Sequence, residues 1–478
     1  MIERPRYERS LIEPGIVHLG PGAFSRAHLA LYTDDVLAGG AREWGIIGAD
    51  PLSAAPRDAL APQDWLYTLL LRGADGERGR IIGSLMGVLA VPEEGEATLA
   101  HMVDARTRIV SITVSEKGYC QDAATGELDE AHPAIVADLA TPTRPRSVPG
   151  LLTEAIRRRR AAGTAPFTVL VCDNLSENGI KGRRIVTRFA SLRDAELGRF
   201  IAEEIAFPCT MVDRITPATL KADRDGVLAA YGYVDAWPVV CEPFRQWVIE
   251  DRFPGGRPPW EEVGATLVND VHPFEVMKVR LLNGAHSALA YFGAAAGYET
   301  VAEAMADAEL AAFLPRLWAE DLVPTLPVVP ATDIGGYTAD LERRFRNPAI
   351  RHRILQITGD GSQKLPPRLL EPAAERLRAG GEARGIALVV AAWMRFLRGA
   401  SEAGVAYEVA DPLAGRLRGI ERSCGPDTGR LVDELFAVGD IFAPEIATHA
   451  GFRAAVKDDL GAIRARGIRA VLAEFLRR

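Results

Sequence analysis

The sequence predicts an α/β protein in two parts: an N-terminal domain with a doubly wound, mostly parallel sheet and a mainly α-helical C-terminal domain. In the first part, short apolar segments that suit buried strands alternate with segments of helical periodicity, which is typical of parallel sheets. In the second part, apolar residues recur at helical spacing almost throughout. The 478 residues also exceed what one small core accommodates.

A short segment near the middle of the chain suggests where the two domains meet. Residues 255–260, GGRPPW, have the clearest linker composition in the sequence. The helical pattern begins soon after them, at Pro273. We therefore expect domains at residues 1–268 and 269–478.

The overall composition excludes several classes of protein. A net charge of −8 argues against general nucleic-acid binding. Five scattered cysteines without a CxxC pair indicate reduced thiols, and the histidines lack the spacing of a metal site. The charged N-terminus does not resemble a secretory signal, and no apolar run of about 18 residues suits a membrane span. We expect a cytoplasmic protein with a small-molecule partner, without metal, nucleic acid or membrane, and leave its oligomeric state open.

The first candidate site is a glycine turn between a strand and a helix. Residues 15–20, GIVHLG, predict a buried strand, and the segment after them predicts a helix closed by Gly39 and Gly40. Gly20 and Gly22 supply the first two glycines of a Rossmann-type turn, whereas Ser25 replaces the third. Such glycines let a dinucleotide pyrophosphate approach the backbone. A plain strand-to-helix turn is the alternative.

A second strand, at residues 44–50, ends on Asp50. A carboxylate at this position accepts hydrogen bonds from an adenosine ribose and repels a 2′-phosphate, which favours NAD over NADP. The alternative is that Asp50 only caps the turn that follows.

Two further polar residues follow strand candidates. Asn174 comes directly after the strand at residues 167–172, at the end where ligands bind in doubly wound sheets. Asp213 lies in the segment FPCTMVDRITP. Their alternatives are a turn residue for Asn174 and a structural ion pair with Arg214 for Asp213.

The segment EVMKVRLLNGAHSALAY, at residues 275–291, predicts a helix that carries three polar residues. On an α-helix, Lys278 lies about 80° and Asn283 about 60° from His286 around the axis. Such residues suit a general base, an uncharged oxygen binder and a substrate ligand. Alternatively, Lys278 is solvated, Asn283 and Gly284 end the helix, and His286 is a core histidine.

Residues 354–372 interrupt the helical pattern and predict a loop, with a turn at residues 360–362. The loop presents Lys364 and Arg368. Two such cations hold an anionic or polyhydroxylated substrate, or are plain surface charges.

In their order along the chain, these segments resemble the long-chain mannitol dehydrogenase family of polyol and uronate dehydrogenases. IVHLGPGAFSRAH resembles its cofactor turn, FPCTMVDRITP its Val-Asp-Arg segment, and KVRLLNGAH its K-x4-N-x2-H helix. CEPFRQWVIED and DGSQKLPPR are most similar to the fructuronate reductases, also called D-mannonate oxidoreductases. The sequence departs from the family pattern at residues 180–182, Ile-Lys-Gly, where the family usually has a histidine. This departure bears on substrate specificity.

The resemblance implies hydride transfer between NAD and C2 of an acyclic sugar acid, D-mannonate or D-fructuronate, without metal. The alternative within the family is a mannitol 2-dehydrogenase or another polyol dehydrogenase. Lys278 is then the general acid/base, Asn174 and Asn283 hold the reacting oxygen, and Asp213 and His286 bind neighbouring hydroxyls. A nucleotide sensor would keep the glycine turn without needing these residues together.

The same resemblance assigns residues to the cofactor and to the substrate carboxylate. The cofactor-binding residues it implies are Gly20, Gly22, Ala23, Phe24, Arg26 and Asp50. Lys364, with Arg368, is the candidate for the carboxylate of a hexuronate. Glu275, one turn before Lys278, is either a proton relay or a salt-bridge partner.

Overall fold

The computed structural model describes residues 2–122 and 125–478 and forms two compact units, Met1–His272 and Pro273–Arg478. The first unit is built on a parallel sheet with the strand order β5-β2-β1-β6-β7. Its strands are β1 (Pro14–Leu19), β2 (Gly45–Asp50), β5 (Leu85–Ala90), β6 (Ile109–Ile112) and β7 (Thr168–Val171). This confirms the doubly wound, mostly parallel sheet.

Two smaller sheets complete the strands of the first unit. One contains β3 (Tyr67–Gly73), β4 (Gly76–Ile82) and β9 (Val239–Cys241), and the other contains β8 (Thr210–Asp213), β10 (Gln246–Glu250) and β11 (Thr266–Val268). In each of them one strand pair is antiparallel, β3 with β4 and β8 with β10.

The helices of this unit connect the strands. They are α1 (Ala23–Ala27), α2 (Leu29–Ala38), α3 (Ala55–Leu60), α4 (Val91–Val103), α5 (Ser115–Gly118), α6 (Pro133–Ala140), α7 (Val148–Ala162), α8 (Asn178–Arg193), α9 (Ala195–Glu204) and α10 (Lys221–Tyr231). Short 3-10 turns lie at Arg9–Leu11, Ala61–Gln63 and Trp260–Val263.

Both faces of the parallel sheet are buried, each against its own apolar core. In β1, Val17 belongs to the core that contains α7, α8 and α9, whereas Ile16 belongs to the core that contains α2. Val110 and Ile109 of β6 divide in the same way. Because side chains alternate along a strand, a sheet covered on both faces needs the continuous apolar runs that the sequence shows.

The GGRPPW segment belongs to the first unit. Trp260, its last residue, is fully buried in the core that contains α2, and its ring lies 4.6 Å from that of Trp247. Glycine and proline here shape a turn that leads into a buried indole, so these residues are not an exposed linker.

The second unit is mainly helical, as predicted. Its helices are α11 (His272–Met277), α12 (Gly284–Ala296), α13 (Val301–Ala306), α14 (Ala308–Arg316), α15 (Ile334–Phe345), α16 (Ile354–Ile357), α17 (Gly361–Leu365), α18 (Glu371–Arg378), α19 (Arg384–Phe396), α20 (Ala414–Cys424), α21 (Thr428–Phe436), α22 (Pro444–Ala447), α23 (Ala450–Arg466) and α24 (Ile468–Arg477). A 3-10 turn lies at Val323–Thr325, and three π-helical turns lie at Lys278–Asn283, Leu317–Leu322 and Pro366–Leu370. We call these three π1, π2 and π3.

The prediction of a loop at residues 354–372 is wrong. The structure has α16, α17, π3 and the start of α18 there. Pro366 and Pro367 stand at the first positions of π3. At the start of a helical turn the missing N–H of proline costs little, because that N–H has no partner within the turn.

Among residues 2–122 and 125–478, the structure contains no helix whose length and hydropathy would let it cross a bilayer.

Candidate active site

The glycine turn after β1 uses its two glycines for different reasons. Gly20 has a φ of +86°, and a Cβ there would lie 2.2 Å from the carbonyl oxygen of Thr113, so the fold requires glycine. At Gly22, by contrast, a Cβ would meet no heavy atom nearer than the Gly20 oxygen, at 3.9 Å. Packing within the unit therefore does not demand the second glycine. Its missing side chain leaves the space that a pyrophosphate lying against the backbone would fill.

Ser25 and His18 hold this turn in place. The Ser25 hydroxyl lies 3.3 Å from the Gly20 oxygen and 3.2 Å from the Gly22 oxygen. His18 Nε2 lies 3.1 Å from the same Gly20 oxygen and 2.8 Å from Thr113 Oγ1, while Nδ1 lies 2.8 Å from Ser111 Oγ. Burial lowers the pKa of His18 to about 4, so the ring is neutral at pH 7. The sequence analysis missed His18, because a histidine within an apolar strand follows no motif.

The helix predicted after the turn is broken at His28, where φ is −120° and ψ is −87°. Ala23 and Phe24 begin α1, and the His28 ring stacks on Phe24 with 5.0 Å between centroids. His28 Nε2 also lies 2.9 Å from the carbonyl oxygen of Gln246. Periodicity predicted one long helix here. The structure has two, α1 and α2, which meet at His28, where these contacts lie.

Arg26 is buried beneath α1. Its guanidinium lies over the rings of Trp237 and Tyr67, at 4.6 and 5.1 Å, and donates to the Trp237 carbonyl oxygen at 2.5 Å. Burial lowers its pKa to about 10. These contacts hold α1 against the loop before β9. The assignment of Arg26 to the cofactor stays a prediction.

Asp50 ends β2 and caps the turn after it. Its Oδ1 accepts hydrogen bonds from the backbone N–H groups of Leu52 and Ser53, at 2.8 and 2.9 Å. The turn-capping interpretation therefore describes its contacts. The two hydrogen bonds fix the direction of the Asp50 carboxylate. A contact between Asp50 and a ribose stays a prediction.

Asn174 is exposed in the loop after β7, and two neighbours order that loop. Asp173 Oδ2 accepts from the Val114 N–H at 3.1 Å and from the Tyr119 hydroxyl at 2.7 Å. The buried amide of Asn178 donates to the carbonyl oxygens of Asp173 and Thr210, at 3.1 and 2.9 Å, and accepts from the Thr210 N–H at 2.9 Å. Asn178 thus ties the end of β7 to the start of β8. Sequence reasoning missed it, since Asn-Gly is an ordinary turn pair.

Asp213 is the last residue of β8, is 4% exposed and pairs with Gln246 of β10. The next residue, Arg214, donates to the Glu242 carbonyl oxygen at 2.8 and 3.0 Å and to the Ala27 carbonyl oxygen at 2.6 Å. Arg214 therefore anchors the chain after β8 to α1 and to the end of β9.

The structure brings several predicted residues of the first unit to one edge. Gly20, Asp50 and Asn174 follow or end β1, β2 and β7, which are parallel strands of one sheet. The carboxyl ends of parallel strands share an edge, which is where doubly wound sheets bind ligands. Asp213 ends a strand of a different sheet.

In the second unit, the helix that carries Lys278 departs from α-geometry. Lys278–Asn283 forms π1, in which the N–H of Gly284 bonds to the carbonyl of Val279, five residues back. Gly284 itself is helical, with a φ of −63° and a ψ of −48°, and begins α12. The prediction of a regular α-helix is wrong here, and so is the interpretation that Asn283 and Gly284 end the helix.

The π-turn changes which residues share a side of the helix. In an α-helix, Lys278 and Asn283 would lie about 140° apart around the axis. An i→i+5 hydrogen bond closes one turn over five residues, so residues five apart come to the same side. The departure from α-geometry therefore reduces the angle around the helix axis between the candidate base, Lys278, and the candidate oxygen binder, Asn283.

The ionisable residues of this helix are buried, which excludes a solvated Lys278. Lys278 and His286 are 6% and 8% exposed, and Glu275, one turn earlier, is 8% exposed. The His286 ring lies 4.5 Å from Phe345 and 5.0 Å from His352.

The His286 imidazole is neutral and has an unused nitrogen. Its pKa is held well below the usual value, first by burial and then by the charges of His352, Arg344, Arg368 and Lys278. Its Nε2 has no hydrogen-bond partner within the described part of the chain. A buried ring nitrogen of this kind suits a substrate hydroxyl.

The two cations of the predicted loop lie on helical turns and have different neighbours. Lys364 Nζ donates to the Gly359 carbonyl oxygen at 2.7 Å and lies 3.5 Å from the Asp360 carboxylate. Arg368 Nη1 lies 3.1 Å from Ser287 Oγ and 3.4 Å from the Asn283 carbonyl oxygen. Arg368 therefore contacts the helix that carries Asn283, and burial lowers its pKa to about 10.

Comparison with protein families matches both units. The model of the mannitol dehydrogenase Rossmann domain matches residues 14–262, and that of the mannitol dehydrogenase C-terminal domain matches residues 270–464.

Individual relatives match over nearly the whole chain. The D-mannonate oxidoreductase of Escherichia coli K12 is 43% identical over 99% of this chain and 98% of its own length. The mannitol 2-dehydrogenase of Cereibacter sphaeroides is 42% identical over 99% of both chains. Among solved structures, the Pseudomonas fluorescens mannitol 2-dehydrogenase in complex with NAD and D-mannitol has a TM-score of 0.88 at 40% identity, covering 100% of this chain and 97% of that one.

These matches confirm the resemblance of the sequence motifs. They favour D-mannonate oxidoreductases and mannitol 2-dehydrogenases almost equally, and so leave the substrate open. The chain belongs to the mannitol dehydrogenase family of NAD-dependent oxidoreductases, which act on CH–OH groups.

Proposed function

We propose that this protein transfers a hydride between NAD and C2 of an acyclic sugar acid, interconverting D-mannonate and D-fructuronate. The observation that carries the proposal is the buried helix on which π1 brings Lys278 and Asn283 to one side, followed by His286 on α12. A base, an amide and a neutral imidazole suit the oxidation of a secondary alcohol without metal.

The first unit fits NAD. The space beside Gly22 accommodates a pyrophosphate, and Asp50, held by its turn, would repel the 2′-phosphate of NADP. When bound, NAD accepts the hydride from the alcohol, or NADH returns it to the ketone.

Lys278 is the proposed general acid/base at the C2 oxygen. In the direction of ketone reduction, its ammonium gives a proton to that oxygen as negative charge grows there. The amides of Asn283 and Asn174 donate hydrogen bonds to the same oxygen, and one such donor typically contributes about 3 kcal/mol in the transition state. His286 and Asp213 bind neighbouring hydroxyls, and the Nε2 of His286 is suited to this.

Several cations support an anionic substrate. Lys278, Arg344 and Arg368 lie close enough to His286 for their charges to act on it, and Lys364 follows on α17. A sugar acid offers a carboxylate to such a cluster, whereas a neutral ketose does not. We propose Lys364, with Arg368, for that carboxylate.

The second candidate is a mannitol 2-dehydrogenase. It is favoured by the Cereibacter sphaeroides relative, which is 42% identical, and by the similarity to the Pseudomonas fluorescens enzyme. The chemistry at Lys278 would be unchanged, and the cations would have no carboxylate to bind.

Initial rates of NADH and NADPH oxidation with D-fructuronate, D-tagaturonate and D-fructose test the proposal. The assay includes Lys278→Ala and, as a matched control, Lys457→Ala, an exposed lysine on α23. We expect fructuronate turnover with NADH, abolished only in Lys278→Ala. A preference for fructose would move the protein to the mannitol dehydrogenases, and turnover that survives Lys278→Ala would refute the mechanism.

A further inference from the structure

Of the three π-helical turns of the second unit, π2 and π3 each contact π1. Each contains a hydrogen bond to the carbonyl five residues back: Gly284 to Val279 in π1, Val323 to Trp318 in π2, and Glu371 to Pro366 in π3. A π-turn is rare, appears mostly as a single turn within an α-helix and is frequently found at functional sites. A π-turn therefore needs surrounding contacts that favour it.

Side chains of π2 and π3 supply such contacts to π1. The buried indole of Trp318, in π2, donates through Nε1 to the carbonyl oxygen of Leu281 at 2.9 Å. The guanidinium of Arg368, in π3, donates through Nη1 to Ser287 Oγ at 3.1 Å and lies 3.4 Å from the Asn283 carbonyl oxygen. Both backbone acceptors belong to π1.

The backbone of π3 also lies close to π1. A Cβ on Gly284 would be 3.1 Å from the carbonyl oxygen of Arg368, so glycine permits the approach. Arg280, within π1, forms a bidentate ion pair with Glu375 of α18, with both distances at 2.7 Å, and donates to the Thr325 carbonyl oxygen. The turn between Lys278 and Asn283 is thus held from several directions.

We propose that Trp318 and Arg368 are positioning residues, which hold π1 in its i→i+5 form so that Lys278 and Asn283 address the same substrate oxygen. This inference rests on the roles proposed for Lys278 and Asn283. It gives Arg368 a second function, through the helix backbone, besides the carboxylate contact proposed for it together with Lys364. A helix that relaxed to α-geometry would turn Asn283 away from Lys278.

Two conservative substitutions test the proposal. Trp318→Phe removes the indole N–H and keeps an aromatic ring, and Arg368→Lys keeps the charge and removes the guanidinium fork. Matched controls are Trp260→Phe, a buried indole 3.4 Å from Thr33 Oγ1 in the first unit, and Arg395→Lys, a buried guanidinium that donates to the Ala400 carbonyl oxygen at 2.8 Å. Measurements are kcat and KM for each ketose that the wild type reduces, KM for NADH, and Tm.

We expect each π-turn variant to lower kcat by about 10- to 100-fold for every ketose, because a displacement of about 1 Å costs this much. The KM values for NADH and for a neutral ketose should stay within about twofold, because their contacts are kept, whereas Arg368→Lys should also raise KM for fructuronate if Arg368 shares the carboxylate with Lys364. The controls should keep kcat even where their Tm falls equally. A kcat that stays at the wild-type value in both π-turn variants would overturn the inference. So would an effect of Arg368→Lys confined to KM for fructuronate, which would make Arg368 a direct ligand.

Lys278→Ala separates this inference from the function it rests on. If Lys278→Ala is inactive while both π-turn variants are fully active, only the positioning role fails. If Lys278→Ala is active, the proposed function fails, and the positioning role fails with it because its purpose is gone.

Discussion

Replacing each glycine of the turn after β1 by alanine should separate the fold from cofactor binding. Gly20→Ala puts a Cβ at a φ of +86° and 2.2 Å from the Thr113 oxygen. The left-handed conformation alone costs about 1–2 kcal/mol for a non-glycine residue, and the contact adds more. We expect a loss of about 2–4 kcal/mol, which lowers the Tm of a domain this size by roughly 5–15 °C.

Gly22→Ala should keep the stability of the fold and weaken NADH binding. Its φ of −74° and ψ of −172° suit any residue, and the nearest atom to the new Cβ is 3.9 Å away. Stability should therefore be unchanged or rise by about 0.4–1 kcal/mol, since alanine restricts the unfolded chain. A pyrophosphate displaced by the methyl group would lose about one charge-assisted hydrogen bond, at about 1.5–3 kcal/mol. The Kd for NADH should rise about 10- to 100-fold.

Differential scanning fluorimetry of the protein without cofactor and a fluorescence titration with NADH measure the two effects. The expected result is a stable Gly22→Ala protein that binds NADH weakly and a destabilised Gly20→Ala protein. If Gly22→Ala bound NADH as tightly as the wild type, the pyrophosphate would not pass over residue 22. If Gly22→Ala unfolded like Gly20→Ala, the open space assigned to this position would be wrong.

Three further predictions concern other parts of the molecule. Lys364→Ala should lower kcat/KM for fructuronate by about tenfold or more and leave that for fructose nearly unchanged, as a desolvated charge contact predicts; equal losses on both ketoses would refute a carboxylate contact, and Lys457→Ala is the control. Asn178→Ala should lower Tm and weaken activity, because it leaves the Thr210 N–H and two carbonyls at β7 and β8 without their partner; an unchanged Tm would contradict this. Burial raises the pKa of Asp321 to about 6, from an ordinary value of 3.8, so its contribution to stability is fully present below pH 3.8 and is lost as pH rises through about 6. Asp321→Asn, which keeps an acceptor for the Ile386 N–H, should therefore gain stability relative to the wild type between pH 4 and 7, by up to about 3 kcal/mol; a Tm difference independent of pH would refute it.

Strands β1 and β2 of the central sheet could be predicted because each carries its own signal. Residues 15–20 and 44–50 were expected as strands, and the structure has Pro14–Leu19 and Gly45–Asp50. Burial on both faces favours a nearly continuous run of apolar or small residues, which is visible without knowledge of the neighbouring strands.

The turn that organises the second unit could not be predicted in this way. Periodicity favours an α-helix through Lys278 and Asn283, and no local residue marks the change to π-geometry. Its contacts come from Trp318, 37 residues from Leu281 in sequence, and from Arg368, 85 residues from Asn283. The identities of the candidate catalytic residues came from motif order, whereas their relative orientation depends on these long-range contacts.

The burial of Trp260 has a consequence for exchanging parts between related enzymes. A crossover placed in the glycine- and proline-rich residues 255–260 would take this indole from one parent and the Trp247 that it packs against from the other. A mismatched pair of this kind leaves a hole or a clash in the core, and loss of a buried tryptophan typically costs about 3–5 kcal/mol. A chimera joined at residues 269–271, after β11 and before α11, keeps each core with its own parent. The glycine- and proline-rich segment 255–260 is therefore the wrong place for a crossover, although it is the strongest linker signal in the sequence.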